Sequence, residues 1–194
     1  MNETLAYEYL RPRLQALGLD PQRIENVLAK GTPDVNYTLG WIETKYLEAW
    51  PKRPDTVVHV HTLEDRKEQV VFLLRRWINR GPAWLMLRVA RQYMLFAAPD
   101  VRAVRLGLAR DELLQLACWK TGPTGIGDYD ELGCWLRWQD EALPLPARAR
   151  LLRLRCRRTV EQAAELLSIR PWQVTRAETE ECEATNDLLD AWLA

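Results

Sequence analysis

Apolar residues recur along the chain at two different periods, and the changes between them mark out its elements. Leu5, Tyr9, Leu10, Leu14 and Leu17 fall at helical spacing, and Gly18 follows where a helix end favours a left-handed residue, so a first helix is predicted to end near Leu17. Over residues 34–45 the period shortens: Val35, Tyr37, Trp41 and Ile42 flank Thr38-Leu39-Gly40, the pattern of two short strands joined by a tight turn. Residues 57–60, VVHV, read as another short strand. Residues 63–79 return to helical spacing until Arg80-Gly81-Pro82 stops them. Two further strands are expected at 84–89 and 93–97, a helix at 109–119, and then a loop, TGPTGIGD, holding three of the nine glycines. Helix, hairpin, helix, two strands and helix describe an α/β sheet with helices on its faces.

The last third is built differently. Pro144 and Pro146 precede Arg148, Arg150, Arg153, Arg155, Arg157 and Arg158, a run of arginines without one acid among them. Thr159 to Gln162 offers a capping box into Ala163, Ala164, Leu166 and Leu167; Ser168-Ile169-Arg170 turns, and Pro171 suits the opening of a second helix. Glu178, Glu180, Glu181, Glu183, Asp187 and Asp190 follow as an acidic block. The predicted organisation is a domain over 1–120, a linker over 121–145 and a helical module with an acidic tail over 146–194.

Composition adds limits. The 27 basic and 27 acidic side chains cancel, so any polyanion must be met by local asymmetry and not by net charge. With 47% hydrophobic residues and nine tryptophans the chain has ample material for a packed core. Trp41, Trp77 and Trp84 occur where strands and helices should pack, and burial is the expectation for them, ahead of base stacking. Arg88 and Arg91 break the longest apolar runs below membrane-spanning length, and the N-terminus lacks a basic segment followed by an apolar one, so a cytoplasmic protein is expected. Cys118, Cys134, Cys156 and Cys182 show no CxxC spacing, which favours reduced, mostly buried thiols.

The chemistry concentrates in the hairpin. If it turns at residues 38–40, Asp34 lies across from Glu43 or within one register step, bringing two carboxylates to one end of the ribbon. A divalent cation would remove the cost of that juxtaposition, and hard cations such as Mg²⁺ favour one or two carboxylates plus water and phosphate oxygens. Glu43 and Lys45, two apart on a strand, leave the same face, so the ammonium can stand beside the ion. Such a set suits phosphodiester hydrolysis. His59 and His61 form an HxH on the candidate strand, but no third ligand accompanies them at a familiar spacing, and partly exposed strand histidines are expected.

Pro33-Asp34, eight residues, then Glu43-Thr44-Lys45 resembles the motif of the PD-(D/E)xK nuclease superfamily. Arg23 to Asn26, Gly31 to Tyr37, Trp41-Ile42-Glu43 and Gln69 look like a phage-type branch near the VRR-NUC and Holliday-junction-resolvase-like nucleases, over roughly residues 5 to 110. The resemblance implies a restriction-endonuclease-like αβββαβ core, dependence on Mg²⁺ or Mn²⁺, and cleavage of DNA. It implies Asp34, Glu43 and the backbone carbonyl of Thr44 as metal ligands, Lys45 as the catalytic lysine, Glu25 as an upstream acid on a metal-bound water or second ion, and Gln69 against the active site.

The 160–178 segment looks similar to a helix-turn-helix DNA-binding unit, with Gln173, Thr175 and Arg176 near the groove and the arginines of 148–158 on phosphates. Ser168 stands where glycine is usual in the turn, and Arg170 where a Ser or Thr cap is commonest. A helical hairpin contacting a protein is the competing reading. The leading expectation is a metal-dependent DNA endonuclease, acting as a homodimer if both strands are cut. The alternatives are a non-catalytic DNA-binding or regulatory protein that keeps the fold as a platform, and an accessory factor whose arginine helix and acidic tail form subunit contacts.

Overall fold

The computed structural model describes residues 3–24, 31–79, 81–138, 143, 145–156 and 158–180. The chain divides into two compact units, Met1–Gly133 and Cys134–Ala194. The first is a mixed α/β unit: α1 (Glu3–Ala16), β1 (Gln22–Arg23), β2 (Val35–Tyr37), β3 (Gly40–Leu47), α2 (His61–Asp65), α3 (Lys67–Ile78), β4 (Ala83–Val89) and β5 (Gln92–Ala97). A 3-10 turn at Ala98–Asp100, α4 (Val101–Leu106), α5 (Arg110–Leu116) and β6 (Trp119–Lys120) complete the sheet, and α6 (Tyr129–Arg137) runs across the division.

The helix stop at Gly18 forms as the sequence predicts. Gly18 takes φ +70°, its N–H donates to the Gln15 carbonyl and the Leu19 N–H reaches back to Leu14, the paired bonds of a Schellman end. Six strands lie in sequence order, β1-β2-β3-β4-β5-β6. Only β3 and β4 are parallel; every other neighbouring pair is antiparallel. A parallel pair needs a long crossover, and α2 and α3 lie within it. At the centre, β4 and β5 are buried at every position, which is why AWLMLRV reads as a nearly continuous apolar run and not an alternating one. Trp77 of α3 meets Trp84 of β4 edge to face at 6.1 Å, and both are buried, as expected. Trp41 is only half-buried.

Four expectations are corrected. Residues 57–60 form no strand; Val58 makes a single bridge to Leu108. The helix predicted over 63–79 is two helices, because Arg66 leaves helical geometry at φ −110° and ψ 67°. The helix predicted over 109–119 ends at Leu116, and Trp119–Lys120 pair with Leu95 and Met94 of β5. Within the expected linker, residues 129–137 form α6, with the Asp128 carboxylate accepting from the Glu131 N–H and Leu132, Trp135 and Leu136 fully buried.

In the second unit, α7 (Leu145–Arg155), α8 (Val160–Leu166) and α9 (Pro171–Ala177) surround a core of Ala149, Leu152, Ala163, Ala164, Val174 and Ala177. The capping box forms: the Gln162 N–H donates to Thr159 Oγ1 at 3.2 Å and the Thr159 N–H to Gln162 Oε1 at 3.0 Å. Ser168 adopts φ +55° in the turn, taking the left-handed conformation that glycine would take without strain. Cys118 and Cys134 are buried and Cys156 is exposed, none of the three in a disulfide; Cys182 lies outside the described residues. No helix among the described residues is long and apolar enough to cross a membrane.

Candidate active site

Backbone register builds the site. Tyr37 pairs with Gly40, Asn36 with Trp41 and Val35 with Ile42, so one further step sets Asp34 opposite Glu43. The Asp34 carbonyl accepts from the Ile24 N–H at 2.8 Å, fixing its main chain. Its carboxylate turns to β3: Asp34 Oδ2 accepts from the Thr44 N–H at 2.9 Å and from Thr44 Oγ1 at 2.8 Å. In an extended strand a residue's N–H and C=O leave the same edge, so the Thr44 carbonyl shares the edge on which Asp34 lies. Behind this hairpin the buried Trp84 indole N–H donates to Tyr37 Oη at 3.0 Å, and burial holds the Tyr37 phenol well above its ordinary pKa.

Gly31 takes φ +91°, and a Cβ there would stand 2.6 Å from Glu68 Cβ, so only glycine lets the loop rest on the first turn of α3. Gln69 follows Glu68. It shares the buried side of α3 with Val70, Leu73 and Trp77, and its Oε1 is buried without a hydrogen-bond partner among the described residues. An unsatisfied buried amide oxygen costs about 1–3 kcal/mol and calls for an explanation.

Glu43 and Lys45 form an ion pair in which both side chains are fully buried. Their register partners on β4 are Leu85 and Leu87. Removing each charge from water costs several kcal/mol, which mutual attraction repays only in part. Asp34, Glu43 and the Thr44 carbonyl offer the oxygen donors that a hard cation takes. The donor set therefore fits Mg²⁺ or Mn²⁺. No group of three His, Cys, Asp or Glu able to hold a metal occurs among the described residues, and Glu25 lies outside them.

The histidines are arranged differently from the strand reading. His59 precedes α2 and His61 opens it. The rings stack at 6.0 Å, with His59 Nδ1 2.8 Å from Glu64 Oε1 and His61 Nδ1 3.2 Å from Glu64 Oε2. Hydrogen bonds with His59 and then His61 hold the Glu64 carboxyl below its ordinary pKa. Glu64 was not foreseen as their partner; its i,i+3 spacing from His61 on a helix is the signal that could have found it.

In the second unit, the arginine run separates by helix geometry. Arg150 and Arg153 are buried and are not available to phosphates. Arg153 Nε donates to Glu178 Oε1 at 2.5 Å, its NH2 to Glu178 Oε2 at 2.9 Å and its NH1 to the Arg158 carbonyl at 2.8 Å. Arg155 and Arg158 are exposed, Arg148 is half-buried and Arg157 lies outside the described residues. On α9, Gln173 Oε1 accepts from the Arg170 N–H at 2.9 Å and Thr175 Oγ1 donates to the Pro171 carbonyl at 3.3 Å, so both serve the helix itself. Arg176 is exposed and pairs with Glu180 at 3.1 Å. The Glu178 partner of Arg153 lies 25 residues away and has no local sequence signal.

Comparison of the chain with protein-family models, curated proteins and solved structures returns no match.

Proposed function

We propose that the chain is a metal-dependent endodeoxyribonuclease of the PD-(D/E)xK kind, cytoplasmic, with a restriction-endonuclease-like αβββαβ core and a helix-turn-helix-like C-terminal module. One observation carries the reading: a fully buried Glu43–Lys45 ion pair on a strand whose neighbouring Thr44 is held by the Asp34 carboxylate. An ion pair between residues two apart brings no separate elements together, so its desolvation cost has no evident structural return. A catalytic role gives it one. The element order α1, β1, β2, β3, crossover helices and β4 also agrees with the expected core.

Asp34, Glu43 and the Thr44 carbonyl would hold Mg²⁺ or Mn²⁺, with Glu25 as an upstream acid. The cation supplies Lewis-acid polarisation of the phosphoryl group when bound. The Lys45 ammonium would orient the attacking water and offset charge on the phosphoryl oxygens. The water oxygen would bond to phosphorus as the bridging P–O bond breaks, and the proton that the water loses would pass through solvent to the leaving alkoxide. Gln69 Oε1, buried without a hydrogen-bond partner among the described residues, would be the acceptor that the resemblance sets against the active site. Arg148, Arg155 and Arg158 would meet DNA phosphates and Arg176 the groove, with a homodimer placing two sites on two strands.

Incubating the purified protein with linear, branched, single-stranded and supercoiled DNA in Mg²⁺ or Mn²⁺ tests the reading. The wild type should cut, with Lys45→Ala and Asp34→Ala slower by about 100-fold or more. Retained DNA binding without cutting on every substrate would favour the non-catalytic platform instead.

A further inference from the structure

The outer side of α3 is unlike an ordinary solvated helix face. Lys67, Val71, Arg75 and Ile78 succeed one another at helical spacing, opposite the buried stripe of Gln69, Val70, Leu73 and Trp77. Val71 is 52% and Ile78 72% exposed, a costly placement for two β-branched apolar side chains beside cations. Phe72 stands at the margin of this face with Trp41 of β3 edge-on to it at 5.3 Å. A cavity of about 760 Å³ opens here, lined by Lys67, Val71, Phe72, Arg75 and Arg76 among others. Its size lies within the range of ligand sites.

Charge selects the occupant. Lys67, Arg75 and Arg76 have no acidic partner among the described residues, and Glu68 is the one acid among the described lining residues. A second copy of the same face would set three cations against three, which disfavours self-association. A polyanion with flat apolar groups satisfies both halves of the surface: phosphates meet the cations, while bases lie on Phe72 and Val71. Paired bases hide their faces within a duplex, whereas unpaired bases present them. The helix spans about 18 Å, enough for several nucleotides. Its first turn carries Glu68, against which Gly31, three residues before Asp34, is packed.

We infer that the outer face of α3 binds a single-stranded stretch of DNA, so that the substrate is a junction between paired and unpaired DNA with its unpaired strand running along Lys67, Phe72 and Arg75. The designation as substrate rests on the nuclease reading; the binding surface itself does not.

The test uses the full chain in EDTA and a fluorescein-labelled dT12 oligonucleotide, read by anisotropy across a salt series. The variant Lys67→Glu/Arg75→Glu/Arg76→Glu should bind at least about tenfold more weakly, and the slope of log affinity against log salt should fall by about 2 if three single-strand phosphate contacts are lost. A blunt 12-base-pair duplex should compete for the wild type less well than unlabelled dT12. Tryptophan fluorescence should be quenched by dT12 in the wild type and much less in Trp41→Phe. If charge reversal lowers the melting temperature, the triple Gln variant replaces it. Unchanged dT12 affinity in a folded variant, or equal competition by duplex, overturns the inference. Binding is read in EDTA and cleavage separately in Mg²⁺, so the outcomes separate: α3-dependent binding in EDTA with no DNA cut in Mg²⁺ defeats the nuclease reading alone, whereas wild-type cleavage in Mg²⁺ with dT12 affinity unchanged in the α3 variants defeats this one alone.

Discussion

Two buried ion pairs, one in each unit, differ in what the chain gains structurally from a charge removed from water. Arg153 and Glu178 are 25 residues apart; they meet through two guanidinium bonds, and a third bond reaches the Arg158 carbonyl. That pair ties α7 to the end of α9, around a core made mainly of alanine. Glu43 and Lys45 sit two positions apart on one strand. A bond between near neighbours constrains little that the strand has not already fixed. The difference teaches how to read a buried charge: partners far apart along the chain tie elements together, whereas partners two apart gain no such return, which is why a catalytic role is proposed for the second pair.

The largest expected effect falls on the long-range pair. Arg153→Ala leaves Glu178 buried without its counter-charge and should destabilise the second unit by about 3–5 kcal/mol, seen as accelerated hydrogen exchange of α7–α9 amides. A loss below about 1 kcal/mol would break the contrast. Next comes the local pair replaced as a whole. Glu43→Leu/Lys45→Met should melt at the wild-type temperature or higher, with a gain of up to about 4 kcal/mol, while any cleavage disappears. Marked destabilisation would mean that this pair also serves architecture.

The smallest effect concerns groups buried uncharged. Burial pushes the Tyr93 phenol up to about 12 despite the nearby Arg88 charge, and burial with a hydrogen bond to Tyr9 does the same for Tyr129, also to about 12. A raised folded-state pKa gives stability that is whole below the ordinary phenol value of about 10 and is lost as pH climbs towards 12, because the unfolded chain ionises first. Ultraviolet titration at 295 nm should therefore find these two phenols silent at pH 10–11, with alkaline unfolding above.

Much of the first unit is legible in the sequence because its signals are local. The period-2 run around Thr38–Gly40 gives the hairpin, and its register follows from the turn. Gly40 needs more than the turn: a Cβ there would lie 2.3 Å from the Pro82 carbonyl, a contact created only by the crossover. The kink at Arg66 is hidden because neither Gly nor Pro marks it. α6 was readable, since Asp128 caps it and Leu132, Trp135 and Leu136 keep helical spacing, but the preceding glycines masked the signal. The arginine run misled for a geometric reason. Residues adjacent in sequence fan out around a helix, so Arg153 turns inward while Arg155 turns to solvent, and only the distant Glu178 makes the inward choice stable.

The bond from Thr44 to Asp34 has one more consequence. Among the described residues the ladder between β2 and β3 ends at Val35 and Ile42, although β3 continues to Leu47. Beyond that point the ladder supplies no backbone acceptor for the buried Thr44 N–H. The Asp34 carboxylate supplies that acceptor, so the atoms that would grip a metal also satisfy a buried backbone donor.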